Sequence, residues 1–153
     1  MKNKVAILMG SKSDLPHAEK IGAMLKELGI GFEYHVASAH RTPAKVMGLV
    51  EDLEKENAVI IAVVGLSNAL SGMLAGISTL PVITCPPNTE DLMSSLRMPP
   101  GVAHATVLDP KNAALMAAKI IGFNDPAVKG KVRVFLKSAQ DKIEQTDGEV
   151  KKH

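Results

Sequence analysis

Short continuous apolar runs alternate along this chain with amphipathic stretches. The runs Lys4–Met9, Phe32–Ala37, Ala58–Val64, Leu80–Thr84 and Ala103–Leu108 predict strands, and the uninterrupted first and third suit strands buried on both faces of a parallel sheet. Between the first two, Leu15, Ala18, Ile21, Leu25 and Leu28 recur at helical spacing, with Pro16 suited to the helix start and Gly29 to its end. Val46, Leu49, Val50 and Leu53 form the stripe of a second helix, with Thr42 as its cap and Pro43 in its first turn. A small-residue helix is expected around Ala69–Ile77, a single helix near Asp91–Leu96 inside the long Pro86–Gly101 segment, and another over Asn112–Ile121. Asp125-Pro126 starts a last amphipathic helix with Val128, Val132, Leu136, Ala139 and Ile143 in register. Loops as long as Pro86–Gly101 are often functional covers.

This alternation predicts an α/β fold, a parallel sheet with helices on both faces and right-handed crossovers. Five strands fit most simply the flavodoxin-like order 2-1-3-4-5, whose topological switch lies between strands 1 and 3. Three polar segments then meet at the carboxyl edge of the sheet, where open α/β folds bind ligands: Gly10–Asp14, Ser38–Pro43 and Gly65–Gly72.

Composition narrows the class. At 153 residues and 46% hydrophobic, the chain fits one domain over residues 1–153, with about 145–153 as a flexible tail that frays at Lys151-Lys152-His153. The net charge of +2 comes from scattered residues, 18 basic and 16 acidic, so neither a nucleic acid nor a membrane surface is an expected partner. Aromatic content of 3%, without Trp, argues against a base-stacking platform. The lone Cys85 excludes an internal disulfide framework and a multi-Cys metal site. Val5–Met9 is too short for a signal peptide and no run is long enough for a membrane span, so a cytoplasmic protein is expected.

The chemistry sits in the three polar segments. Gly10, Ser11 and Ser13 precede a helix N-terminus whose free amides favour an anion, the makings of a phosphate cradle. It matches neither the dinucleotide fingerprint nor the Walker A loop. Asp14 is ill suited to phosphate but suited to ribose hydroxyls, although Ser13 or Asp14 can equally cap the first helix. Histidine as a residue type can take or give a proton near neutral pH, which makes His40 the candidate general acid/base; a loop histidine facing water or capping a helix is the alternative. Arg41 offers a planar fork for phosphate, or is a surface arginine. Ser67, Asn68 and Ser71 lie in a Gly-bounded turn that either caps the next helix or forms a small pocket for a carboxylate or a small linear molecule. His17, His35, His104 and His153 are not paired at metal-ligand spacing. Cys85 reads as a small buried hydrophobe, and Met98-Pro99-Pro100-Gly101 as a rigid loop that lines the cleft or joins two elements.

Gly10-Ser11-Lys12-Ser13-Asp14, Ser38-Ala39-His40-Arg41-Thr42-Pro43, Ser94-Ser95-Leu96-Arg97-Met98-Pro99 and Pro110-Lys111-Asn112-Ala113-Ala114 resemble, in order and spacing, the PurE family of purine biosynthesis. That resemblance implies a three-layer α/β/α sandwich, a homo-octamer in which the C-terminal helix packs on a neighbouring subunit, a ribonucleotide substrate, and no metal or cofactor. The mutase branch of the family carries an Ala-His-Leu-Pro-Gly segment in the third loop. Here the segment is Asn68-Ala69-Leu70-Ser71-Gly72, which looks like the carboxylase branch (class II), as do Cys85-Pro86-Pro87 and Ser94-Ser95-Leu96-Arg97. Arg41 and Leu66 stand where that branch tends to have Lys and Arg.

Carried over position by position, the resemblance implies phosphate binding by Ser11 and Arg41 with help from Ser13, and ribose binding by Asp14. Ser38, Gly65, Ser67 and Asn68 would line the base and carboxyl pocket, and His40 would move the proton. The implied reaction is carboxylation of 5-aminoimidazole ribonucleotide by carbon dioxide to 4-carboxyaminoimidazole ribonucleotide. The alternatives are an N-carboxyaminoimidazole ribonucleotide mutase and a non-catalytic nucleotide-binding module. A receiver-like signalling domain shares the topology but needs an acidic pair after strand 1 and an Asp after strand 3, both missing here.

Overall fold

A computed structural model describes residues 4–152. The chain runs β1 (Lys4–Met9), a 3-10 turn (Lys12–Asp14), α1 (Leu15–Glu27), β2 (Gly31–Val36), α2 (Pro43–Glu56), β3 (Val59–Val63), α3 (Ala69–Ile77), β4 (Val82–Thr84), α4 (Met93–Leu96), β5 (Ala105–Thr106), α5 (Pro110–Gly122) and α6 (Pro126–Val150). The strands form one parallel sheet in the order β2-β1-β3-β4-β5, as the periodicity predicts.

Alternation along the central strands divides the core in two. Val5, Ile7 and Met9 of β1 face one way, with Ile61 and Val63 of β3, and pack against α1, α5 and the start of α6. Ala6 and Leu8 face the other way, with Ile60 and Ala62, and pack against Val46, Val50 and Leu53 of α2 and Leu70 and Leu74 of α3. The result is a helix–sheet–helix sandwich.

The last two strands are shorter than their apolar runs. β4 has three residues, and β5 can extend only as far as β4 offers partners, so Ile83 pairs with Ala105 and Thr84 with Thr106. Gly29 closes α1 at φ +62°, a left-handed conformation that favours glycine, and the Lys131 side chain crosses its Cα. In α6 only Val128 and Val132 of the predicted stripe are buried; Leu136 and Ile143 lie beyond the body of the domain. The helix itself continues to Val150, into the segment expected as a tail, while His153 lies outside the described residues.

Candidate active site

Met9 is in register with Val36 on one side and with Val63 on the other, so β1, β2 and β3 end at one level and release their loops together. The three loops enclose a cavity of about 450 Å³, within the usual range for small-molecule sites. Ser11, Ser13, Asp14, Ser38, His40, Arg41, Gly65 and Ser67 all line it.

The first loop holds itself by a reciprocal cap. Ser11 Oγ accepts from Ser13 N–H at 3.3 Å, and Asp14 Oδ2 accepts from Ser11 N–H at 3.1 Å. The Asp14 side chain thus closes the 3-10 turn and makes no cap hydrogen bond to α1. Burial pushes its carboxyl above the ordinary value, against the opposing pull of the Ser11 amide and His17.

The second loop is tied to the first through Arg41. Its Nη2 donates to the Gly10 carbonyl at 3.0 Å, and its backbone N–H donates to Ser38 Oγ at 3.3 Å. Thr42, expected to cap α2, instead turns its hydroxyl back on Ser38, accepting from the Ser38 N–H at 2.9 Å and donating to the Ser38 carbonyl at 3.2 Å. These bonds curl residues 38–42 into a tight loop. His40 at its crest is exposed on the cavity and has no hydrogen-bond partner among the described residues.

The third loop is clamped from outside by the segment after β4. Ser67 has φ +37°, a left-handed backbone unusual for a residue with a side chain. Its N–H donates to Asp91 Oδ2 at 2.8 Å, and the next amide, of Asn68, donates to Ser94 Oγ at 3.0 Å. Asn68 takes the helix-capping alternative that its position in the turn offered. It is buried behind the cavity wall, where Oδ1 caps α3 through the Ser71 amide at 3.1 Å and Nδ2 donates to Ser95 Oγ at 2.9 Å. Its Oδ1 and one hydrogen of its NH2 are thereby engaged within the fold.

Sequence reasoning left out Asn88, which lines the cavity along with Leu66 and Leu70. The signal for Asn88 was its place in the loop that follows the fourth strand, at the same sheet edge as the other loops. Met98 turns away from this cavity and packs against Gly72. The other described histidines pair elsewhere: His17 Nε2 lies 3.3 Å from Cys85 Sγ, His35 Nε2 2.7 Å from Glu33 Oε1, and His104 Nδ1 3.1 Å from Thr84 Oγ1. Among the described residues no three His, Cys, Asp or Glu side chains gather as a metal site. Burial, with help from the nearby Asp109 charge, pushes the Cys85 thiol up to about 12, which leaves it an inert core group.

Comparison with known proteins agrees with this arrangement. A phosphoribosylaminoimidazole carboxylase of Archaeoglobus fulgidus is 42% identical, over 97% of this chain and 85% of the relative. A protein of Methanocaldococcus jannaschii named N5-carboxyaminoimidazole ribonucleotide mutase is 40% identical, over 96% of this chain and 97% of its own. The crystal structure of Treponema denticola PurE2-S38D superposes with a TM-score of 0.95 at 40% identity, covering 99% of each chain. The sequence model of the AIR carboxylase family matches residues 4–142, which spans every loop of the cavity, and the chain belongs to that family.

Proposed function

We propose that this enzyme is a phosphoribosylaminoimidazole carboxylase of purine biosynthesis, joining carbon dioxide to the ring carbon of 5-aminoimidazole ribonucleotide. The observation that carries this reading over a mutase is that, among the described residues, His40 is the one imidazole lining the cavity, since the third loop supplies Gly65, Leu66 and Ser67 there and no histidine. The relatives named as carboxylases support it.

In this reading the phosphate lies against Ser11, Ser13 and the free part of the Arg41 fork, which already bridges the first two loops. Asp14 accepts from the ribose hydroxyls. The base extends toward Ser38, Gly65 and Ser67, while Asn68 shapes that wall from behind. The aminoimidazole is an enamine, so its ring carbon attacks carbon dioxide and a carbon–carbon bond forms. The ring carbon still bears its proton; the unpartnered His40 imidazole takes it, and the electron pair of that C–H bond restores the aromatic ring. Holding the two reactants together in a partly desolvated pocket supplies much of the remaining acceleration. This chemistry calls for no metal or cofactor.

The exposed apolar residues of α6, among them Val134 at 72% and Ile143 at 70%, support assembly with that helix against a neighbouring subunit of a homo-octamer. Among the described residues no helix is long and apolar enough to cross a membrane, in keeping with a cytoplasmic enzyme and small-molecule partners. The mutase reading keeps support from the Methanocaldococcus relative. A paired assay separates them: aminoimidazole ribonucleotide plus bicarbonate in one cell, the N-carboxylated ribonucleotide in the other, following the ring-carboxylated product. Turnover of the first alone is expected. Turnover of the second alone makes the protein a mutase, and binding without turnover makes it a non-catalytic module.

A further inference from the structure

After β4 the chain passes Pro86 and Pro87 and brings Asn88 over the third loop, at the edge of the cavity. Its carboxamide has a defined orientation. Oδ1 accepts the Glu90 N–H at 3.2 Å, and because an N–H can be met only by the oxygen of the amide, the NH2 must face the other way. There it lies beside Gly65, so close that a Cβ on residue 65 would stand 3.2 Å from Nδ2. Among the described residues no acceptor meets Nδ2, which leaves both its hydrogens for a ligand.

Position says what that ligand group is. Along the sheet edge the loops follow the strand order, so those of β2 and β1, with Arg41 and Ser11, lie toward one end, and Gly65 and Asn88, after β3 and β4, toward the other. A ribonucleotide with its phosphate at the Arg41 end directs its base toward Gly65 and Asn88. We propose that the Asn88 amide donates to the carboxylate on the ring carbon, and so distinguishes the carboxylated ribonucleotide from the uncarboxylated one. A neutral donor suits a group that must be held as it forms and then released. The missing side chain at Gly65 keeps the donor open to it.

This inference rests on the carboxylase reading, and the test separates the two. Dissociation constants for aminoimidazole ribonucleotide and for its 4-carboxy form are measured by calorimetry on wild type, Asn88→Asp and Asn88→Ala. Asn88→Asp keeps the oxygen that receives Glu90 N–H and the side-chain shape, while replacing the donor with a negative charge. It should weaken the carboxylated ligand at least about tenfold more than the uncarboxylated one, and Asn88→Ala should act in the same direction by a smaller factor, as expected for loss of a hydrogen bond to a charged group. Equal weakening of both ligands, or no change, overturns the role of Asn88 while leaving the carboxylase reading intact. A wild-type protein that binds neither ribonucleotide overturns both.

Discussion

Asn68→Ala separates a residue that builds the pocket from one that touches the ligand. In the native fold its Oδ1 caps α3 through the Ser71 amide, its Nδ2 donates to Ser95 Oγ, and the side chain is buried. Removing an Asn cap costs about 0.5–2 kcal/mol. Losing the second bond costs about 1 kcal/mol more, because Ser95 Oγ stays buried at 3% exposure without its donor. The sum is about 1.5–3 kcal/mol, which in a chain of this size lowers Tm by about 3–12 °C. The assay is thermal unfolding by circular dichroism at one fixed protein concentration, since any assembly would make Tm depend on it. Asn68→Asp, which keeps the capping oxygen, should lose about half as much. If Asn68→Ala melted within a degree of wild type while its KM for the ribonucleotide rose tenfold, Asn68 would be a ligand contact and the argument from buried hydrogen bonds would be wrong.

His40→Asn should bind the ribonucleotide with near-normal affinity and turn it over at least about 100-fold more slowly, the usual scale of a lost general base; near-normal turnover in a stopped assay would reassign the proton transfer. Ser67→Gly removes a side chain from a left-handed backbone (φ +37°). It should therefore raise stability in urea by about 0.5–1 kcal/mol after glycine's own entropy cost, while substrate affinity falls; a loss of stability would show that the position is unstrained. The Cys85 thiol, ordinarily ionising at 9.0, ionises at about 12 in the fold. The unfolded chain alone releases that proton between these values, so stability should be complete below pH 9 and decline as pH rises toward 12. Cys85→Ala should flatten that slope, and iodoacetamide at pH 8 should label the wild-type protein only after unfolding.

Much of the fold was legible because its signals are local. Uninterrupted apolar runs and helical stripes mark β1, β3, α1 and α2, since the burial of each depends mainly on its own side-chain pattern. The last two strands were overestimated because the length of a strand is set by its neighbour, and β4 offers β5 only two pairs. The stripe of α6 was legible as an amphipathic face, but not which part of it the domain itself covers: burial needs a facing surface, and the domain supplies one only to Val128 and Val132.

By itself the sequence determined the class of fold, the sheet order and the gathering of Ser11, Asp14, Ser38, His40 and Arg41, because strand ends in a parallel sheet bring their following loops to one edge. It also carried the family resemblance, through residues whose order along the chain survives without coordinates. Only the tertiary structure decided which polar groups remain free for a ligand. Asn68 and Asn88 are the same residue type in neighbouring loops, and Asn68 satisfies its carboxamide on Ser71 and Ser95 while Asn88 leaves its NH2 facing the cavity. The cap on Ser71 lies within reach of a local reading, but the bond to Ser95 spans 27 residues, and hydrogen-bond satisfaction across such a separation is a property of packed geometry that no local pattern contains.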